Sequence, residues 1–171
     1  MNYVALLRGI GPANPNMHQS KLCGVLEGLG FSNARGVISS GNVVFESDIK
    51  DSKKLEDIIE KAWPEKLGFN STTIIRSQPQ LRALADQDPY SGVPHARETY
   101  QLVTFFKSPP AAKELPETGY YDVQGVNALC NTLDVTASKT PDFMTKLEKR
   151  YGKEITSRTW KTIQRILQKM D

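Results

Sequence analysis

Thiols and imidazoles are scarce in this chain: 171 residues carry two cysteines, Cys23 and Cys130, and two histidines, His18 and His95. No CxxC pair and no histidine pair at metal-ligand spacing is present, so a zinc centre is not expected. The two cysteines lie far apart, and reduced thiols are their simplest reading. No apolar run approaches the roughly 18 residues of a membrane span, so no membrane partner is expected. Met1 leads into an apolar segment without a basic n-region or a small-residue cleavage site, which points to a cytoplasmic protein. Gly9-Ile10-Gly11 lacks the third glycine of a dinucleotide fingerprint, with Asn14 in its place, and no phosphate-binding P-loop occurs. No cofactor is expected. Ser39 and Ser40 fall in a hairpin without a visible His or Asp base, which argues against a serine nucleophile. Charge of one sign is also limited: net +3 and pI ≈ 8.8 fall short of a dedicated nucleic-acid binder. With 39% apolar and 24% charged residues, the chain nevertheless has the composition of a folded globular protein.

What is present begins with Tyr3-Val4-Ala5-Leu6-Leu7-Arg8-Gly9. Such a continuous apolar run reads as a central strand covered on both faces, with Arg8 where it emerges into a loop. A turn-rich loop follows, then a helix over 17–29 stopped by Gly30. Two strands over 34–39 and 42–46 flank the Ser40-Gly41 turn. A helix over 52–67 with Pro64 near its end and a strand over 72–76 complete a β-α-β-β-α-β order. That order is the split βαβ, or ferredoxin-like, pattern. A short helix over 80–85 precedes a linker at 89–98, rich in turn residues.

The second half repeats the order less clearly. Strands are expected over 100–106, 120–124 and 128–135, with a short helix over 111–115 in the first crossover. Thr140-Pro141 reads as an N-cap and first helical position. Ile155 forms at most a short edge segment before a last helix that reaches Met170. The fold class is therefore α+β: two ferredoxin-like subdomains, 1–88 and 99–171, the second imperfect and ending in an extra helix. Because both faces of the first strand are apolar, the second subdomain is expected to cover the first sheet.

Three cations stand at strand-to-helix junctions: Arg8, Lys139 and Arg158. With Thr156 or Ser157 as N-cap, Arg158 falls in the first turn of the last helix, where the dipole opposes it by about 0.3–1 kcal/mol. An anion held between the guanidinium and free amides would reverse that sign. The plainer reading is an amphipathic helix, with Trp160, Ile163, Ile166, Leu167 and Met170 in the core and Arg158, Lys161, Arg165 and Lys169 in solvent. In either case Trp160 is expected to be buried and structural. No general base or nucleophile can be named.

Three segments together resemble one family: Tyr3-Val4-Ala5-Leu6-Leu7-Arg8-Gly9-Ile10, Ser40-Gly41-Asn42-Val43-Val44-Phe45 and Thr156-x-Arg158-x-Trp160-x-Thr162. In this order they are similar to the largely bacterial domain of unknown function 1697 family. The resemblance implies two similar ferredoxin-like subdomains and no established activity. Arg8, Asn42, Lys139, Arg158, Trp160 and Thr162 match the family's pattern. The first four are carried forward as ligand-binding candidates, Trp160 and Thr162 as structural ones. Relatives differ in having Asn at the positions of Thr159 and Lys161. The leading expectation is a small anionic ligand, a nucleotide or phosphorylated metabolite, between the two subdomains. The alternatives are a nucleic-acid module using the basic last helix and a protein–protein interaction module. The oligomeric state stays open.

Overall fold

The computed structural model describes residues 1–38, 41–93, 99–134 and 140–171. Lys139, Ser39, Ser40 and the second half of the expected linker, residues 94–98 with His95, lie outside the described residues. Strand β1 (Asn2–Leu7) leads through a 3-10 turn (Pro15–Met17) to helix α1 (Gln19–Gly28). Strands β2 (Ser32–Gly36) and β3 (Asn42–Glu46), helix α2 (Ser52–Leu67), strand β4 (Thr73–Ser77) and helix α3 (Gln78–Asp86) complete the first half. The second half runs β5 (Thr99–Phe106), β6 (Tyr120–Tyr121), β7 (Ala128–Asp134), α4 (Thr140–Tyr151), β8 (Ile155–Thr159) and α5 (Trp160–Met170). Two four-stranded antiparallel sheets result, ordered β2-β3-β1-β4 and β6-β7-β5-β8. Both have the ferredoxin-like arrangement, with the first strand of each half between its third and fourth.

Three apolar cores divide the molecule into layers. Tyr3, Ala5 and Leu7 of β1 face an outer core with Leu22 and Leu26 of α1 and Leu55, Ile59 and Trp63 of α2. Val4 and Leu6, on the other face, join a central core with Val103 and Phe105 of the second sheet. Leu81 and Leu84 of α3 and Ile163, Ile166 and Met170 of α5 fill this layer, so the two terminal helices lie between the sheets. The double coverage of β1 expected from its sequence is thus present, and the cover includes the second half. A smaller outer core backs the second sheet, with Phe106, Leu129 and Ile155 packed on Leu147 of α4.

Several boundaries moved for identifiable reasons. His18 is extended (φ −65°, ψ 147°) and separates the 3-10 turn from α1, so Met17 is not in that helix. β2 begins and ends earlier than expected, and its register shifts between Ser32 and Arg35, where Asn33 has φ 53°. Helix α2, by contrast, keeps its expected bounds: it runs through Pro64 to Leu67 and stops at Gly68, whose φ of 77° is the left-handed conformation glycine adopts readily. Gln124, at φ 55°, turns the chain inside the strand expected over 120–124, leaving β6 two residues long beside a 3-10 turn, Val123–Gly125. The first crossover of the second half holds only a 3-10 turn, Ala112–Glu114, instead of a helix. Most consequentially, β8 is a full strand: Leu102 to Phe106 of β5 pair with Thr159 to Ile155. The second half therefore ends β-α, as the first does in β4 and α3.

A candidate functional site at the seam between the halves

β4 and β8 each carry an arginine one residue before a hydroxyl that caps the next helix. In β4 the order is Arg76-Ser77, with Ser77 and Gln80 forming a reciprocal capping box at α3. In β8 it is Arg158-Thr159, with the Thr159 hydroxyl accepting the Thr162 N–H at 3.2 Å. This corrects the placement of Arg158. It is a strand residue paired with Val103, not a first-turn helix residue, so the helix dipole does not explain it.

Each of these arginines reaches into the other half. The Arg158 Nε donates to Asn42 Oδ1 at 2.6 Å, and Nη2 donates to the carbonyls of Leu7 at 2.8 Å and Gly41 at 3.4 Å. Its Nη1 donates to Thr156 Oγ1 and the Ser157 carbonyl, at 2.7 and 2.8 Å. All five guanidinium N–H groups therefore meet protein acceptors. Arg76 answers from the first half: Nε donates to the Val126 carbonyl at 2.7 Å and Nη2 to the Phe106 carbonyl at 2.5 Å. Leu7 and Phe106 are the last residues of β1 and β5, so both arginines grip the same position of the opposite half. Burial pulls both guanidinium groups down to about 10, against the pull of Glu56 in the case of Arg76. Gly41 is required where Arg158 docks. It has φ 79°, and a Cβ there would lie 2.7 Å from the Ile10 side chain.

A second pair of contacts follows the same symmetry. Arg8, immediately after β1, pairs with Glu148 of α4. Lys107, immediately after β5, pairs with Glu60 of α2. Each glutamate is the ninth residue of its helix. Arg8 Nη1 also donates to the Ile155 carbonyl at 3.1 Å, the first residue of β8. Arg8, Asn42 and Arg158, proposed from sequence as one site, do converge. Lys139 lies outside the described residues.

Beside Arg8 the two halves leave a cleft of about 730 Å³. Arg8, Lys61, Asp57 and Ser71 line it from the first half and Lys153 from the second. Arg8 is one-quarter exposed here. Its Nε and one N–H on each terminal nitrogen have no protein partner among the described residues. The Ser71 hydroxyl donates to the Arg8 carbonyl at 2.7 Å, fixing the backbone at the rim.

Trp160 is half-buried rather than buried. Its ring lies 5.5 Å from that of Tyr90 at 52°. The fully buried indole is Trp63, whose Nε1 donates to Thr73 Oγ1 at 2.9 Å. Thr162 completes the α5 cap, its hydroxyl 3.0 Å from that of Thr159. Neither cysteine is poised as a nucleophile: burial pushes the Cys130 thiol up to about 12 and raises that of Cys23. Among the described residues no three His, Cys, Asp or Glu side chains gather as metal ligands, and no helix is long and apolar enough to cross a membrane.

Arg76, Lys107, Lys61 and Lys153 escaped the sequence reading. For Lys107 a signal was present as repetition, an apolar strand followed by a cation occurring twice; for Arg76 it was only the recurring Arg–hydroxyl pair, Arg76-Ser77 and Arg158-Thr159. Lys61 and Lys153 sit among ordinary surface charges, and nothing in the sequence distinguishes them.

A family model described as "Protein of unknown function (DUF1697)" matches residues 1–128. The chain belongs to that family. The resemblance read from Arg8, Asn42 and the neighbouring segments is thereby established. Another chain of known structure, the conserved bacterial protein SP0830 from Streptococcus pneumoniae, superposes with a TM-score of 0.74 at 21% identity. The match covers 99% of this chain and 98% of that one, and shows the fold alone. No curated protein matches the chain.

Proposed function

We propose that this protein binds a small phosphate-bearing metabolite in the cleft beside Arg8. The observation that carries the reading is the composition of that cleft. Its walls come from both halves and hold three cations, Arg8, Lys61 and Lys153. Arg8 has three N–H groups left to donate, and charge-assisted hydrogen bonds of this kind contribute about 1.5–3 kcal/mol each. Glu60, also on the wall, is already engaged by Lys107 and by the Thr73 N–H at 2.8 Å. Both contacts fall on Glu60 Oε1, so Asp57 and the second Glu60 oxygen are what oppose an incoming anion. Arg158 has no such role, because its donors are filled, and it belongs to the frame that holds Leu7 and hence Arg8 in place. A nucleic-acid reading of α5 rests on the exposed Lys161, Arg165 and Lys169 stripe, now without Arg158.

Lys61 and Lys153 are exposed, so replacing both tests the cleft without disturbing the fold. Inorganic phosphate and a sugar phosphate are expected to raise the melting temperature of the full chain in proportion to the logarithm of their concentration. The Lys61→Ala/Lys153→Ala variant is expected to lose most of that rise. Equal rises in both proteins, or none in the wild type at millimolar phosphate, would contradict the proposal.

A further inference from the structure

A second cleft, of about 560 Å³, lies where β5 begins and β8 passes into α5. It shares no lining residue with the cleft beside Arg8. We infer that it binds a planar heteroaromatic ring of the nucleobase kind. Its walls are aromatic and polar: Tyr90, Tyr100 and Trp160, with Gln101 and Gln164 and one charge of each sign, Lys161 and Asp88. Among the described residues no aliphatic side chain lines it. Flat rings joined by amide side chains instead suit a ligand with two apolar faces and a hydrogen-bonding edge. Each glutamine supplies both a donor and an acceptor for such an edge. The volume falls within the range of small-molecule sites.

The aromatic wall is held in place before any ligand arrives. Tyr90 is buried, and its hydroxyl donates to the Leu102 carbonyl. The Trp160 indole packs on that fixed ring and stands at the first position of α5, whose start is set by the Thr159 cap. Tyr100 is 45% exposed, one of few large apolar side chains left open to solvent. A ring entering the cleft would cover apolar surface that the fold leaves open at Tyr100 and Trp160. Lys161, exposed and without an ion-pair partner among the described residues, is placed to favour an anionic substituent on that ring. Stacking of this kind tolerates any base, because every base has a π-face.

The test is calorimetric titration of the full chain with adenosine, uridine and their 5′-monophosphates. Binding is expected for at least one nucleoside, tighter for its monophosphate. Tyr100→Ala and Trp160→Ala are each expected to weaken it about tenfold, as loss of one stacking partner does, while Trp160→Phe retains most of the affinity. Tyr100 is exposed, so its truncation leaves the fold intact and separates lost binding from misfolding. Lys161→Ala should remove the advantage of the monophosphate, and Lys61→Ala/Lys153→Ala should leave nucleoside affinity unchanged. Absence of binding by all four compounds at millimolar concentration, or unchanged affinity in both Tyr100→Ala and Trp160→Ala, would overturn the inference.

Discussion

At the scale of the residue, Arg158 shows how one side chain can be singled out for the wrong reason. A cation beside a run of hydroxyls invites an anion, and the sequence contains no hint that Leu7, Gly41 and Asn42 will supply acceptors instead. Those partners are more than 100 positions away. Because all five donors are engaged, Arg158→Ala strands buried acceptors. It is expected to lower stability in urea by about 1.5–3 kcal/mol, whereas Lys161→Ala stays within about 0.5 kcal/mol. Arg158→Lys should recover only part of the loss, since an ammonium lacks the planar fork. Glu56 is the complementary case, a carboxylate beneath β4 that accepts the Ile75 N–H at 3.1 Å. Burial raises its proton affinity above the usual carboxylate range, with that N–H and Arg76 pulling the other way. The folded state therefore binds the proton more tightly than the unfolded one. This contribution to stability is present at low pH and is lost as pH rises through the folded-state value. Glu56→Gln keeps an acceptor without the charge. Its melting temperature relative to wild type is expected to climb as pH goes from acidic to neutral.

At the scale of the element, legibility followed how locally each boundary is determined. β3 and α2 were readable because a turn glycine, an Asp51 cap and an apolar helix face all lie within the segment. The Asp51 side chain accepts the Lys53 and Lys54 N–H groups, as its position before the helix implies. β8 was not readable. Ile155-Thr156-Ser157-Arg158-Thr159 has too few apolar residues to show a strand period, and only pairing with β5 makes it one. Misplacing that strand moved the helix start by two or three residues and put Arg158 on the wrong element. The caps that do define α3 and α5 are Ser77 and Thr159. Ser77→Ala and Thr159→Ala are each expected to cost about 0.5–2 kcal/mol, measured as a shift in the urea midpoint at unchanged slope. Ser77→Ala removes only the bond that its hydroxyl accepts from the Gln80 N–H, because the reciprocal bond to Gln80 Oε1 is donated by the backbone N–H of position 77 and survives.

At the scale of the whole molecule, the duplication is more regular than the sequence suggested. The halves share almost no residues, yet Arg76 and Arg158, Arg8 and Lys107, and Glu60 and Glu148 occupy corresponding places. Each member of a pair reaches across to the opposite half. What the sequence did reveal was the apolar character of both faces of β1, and that alone implied a shared core. The α1 counterpart missing from the second half breaks the symmetry, leaving that half's outer sheet face to α4 and a smaller core. The cleft beside Arg8 is a product of this assembly, since Lys153 reaches it from the second half while Lys61 comes from the first. A crystal structure grown in phosphate, or soaked with tungstate so that the anion is located by anomalous scattering, tests the functional reading most directly. The expected result is an anion within hydrogen-bond distance of the Arg8 guanidinium, approached by Lys61 and Lys153. An anion bound elsewhere with this cleft holding none, or bound at Arg158 after displacing its carbonyl partners, would contradict it.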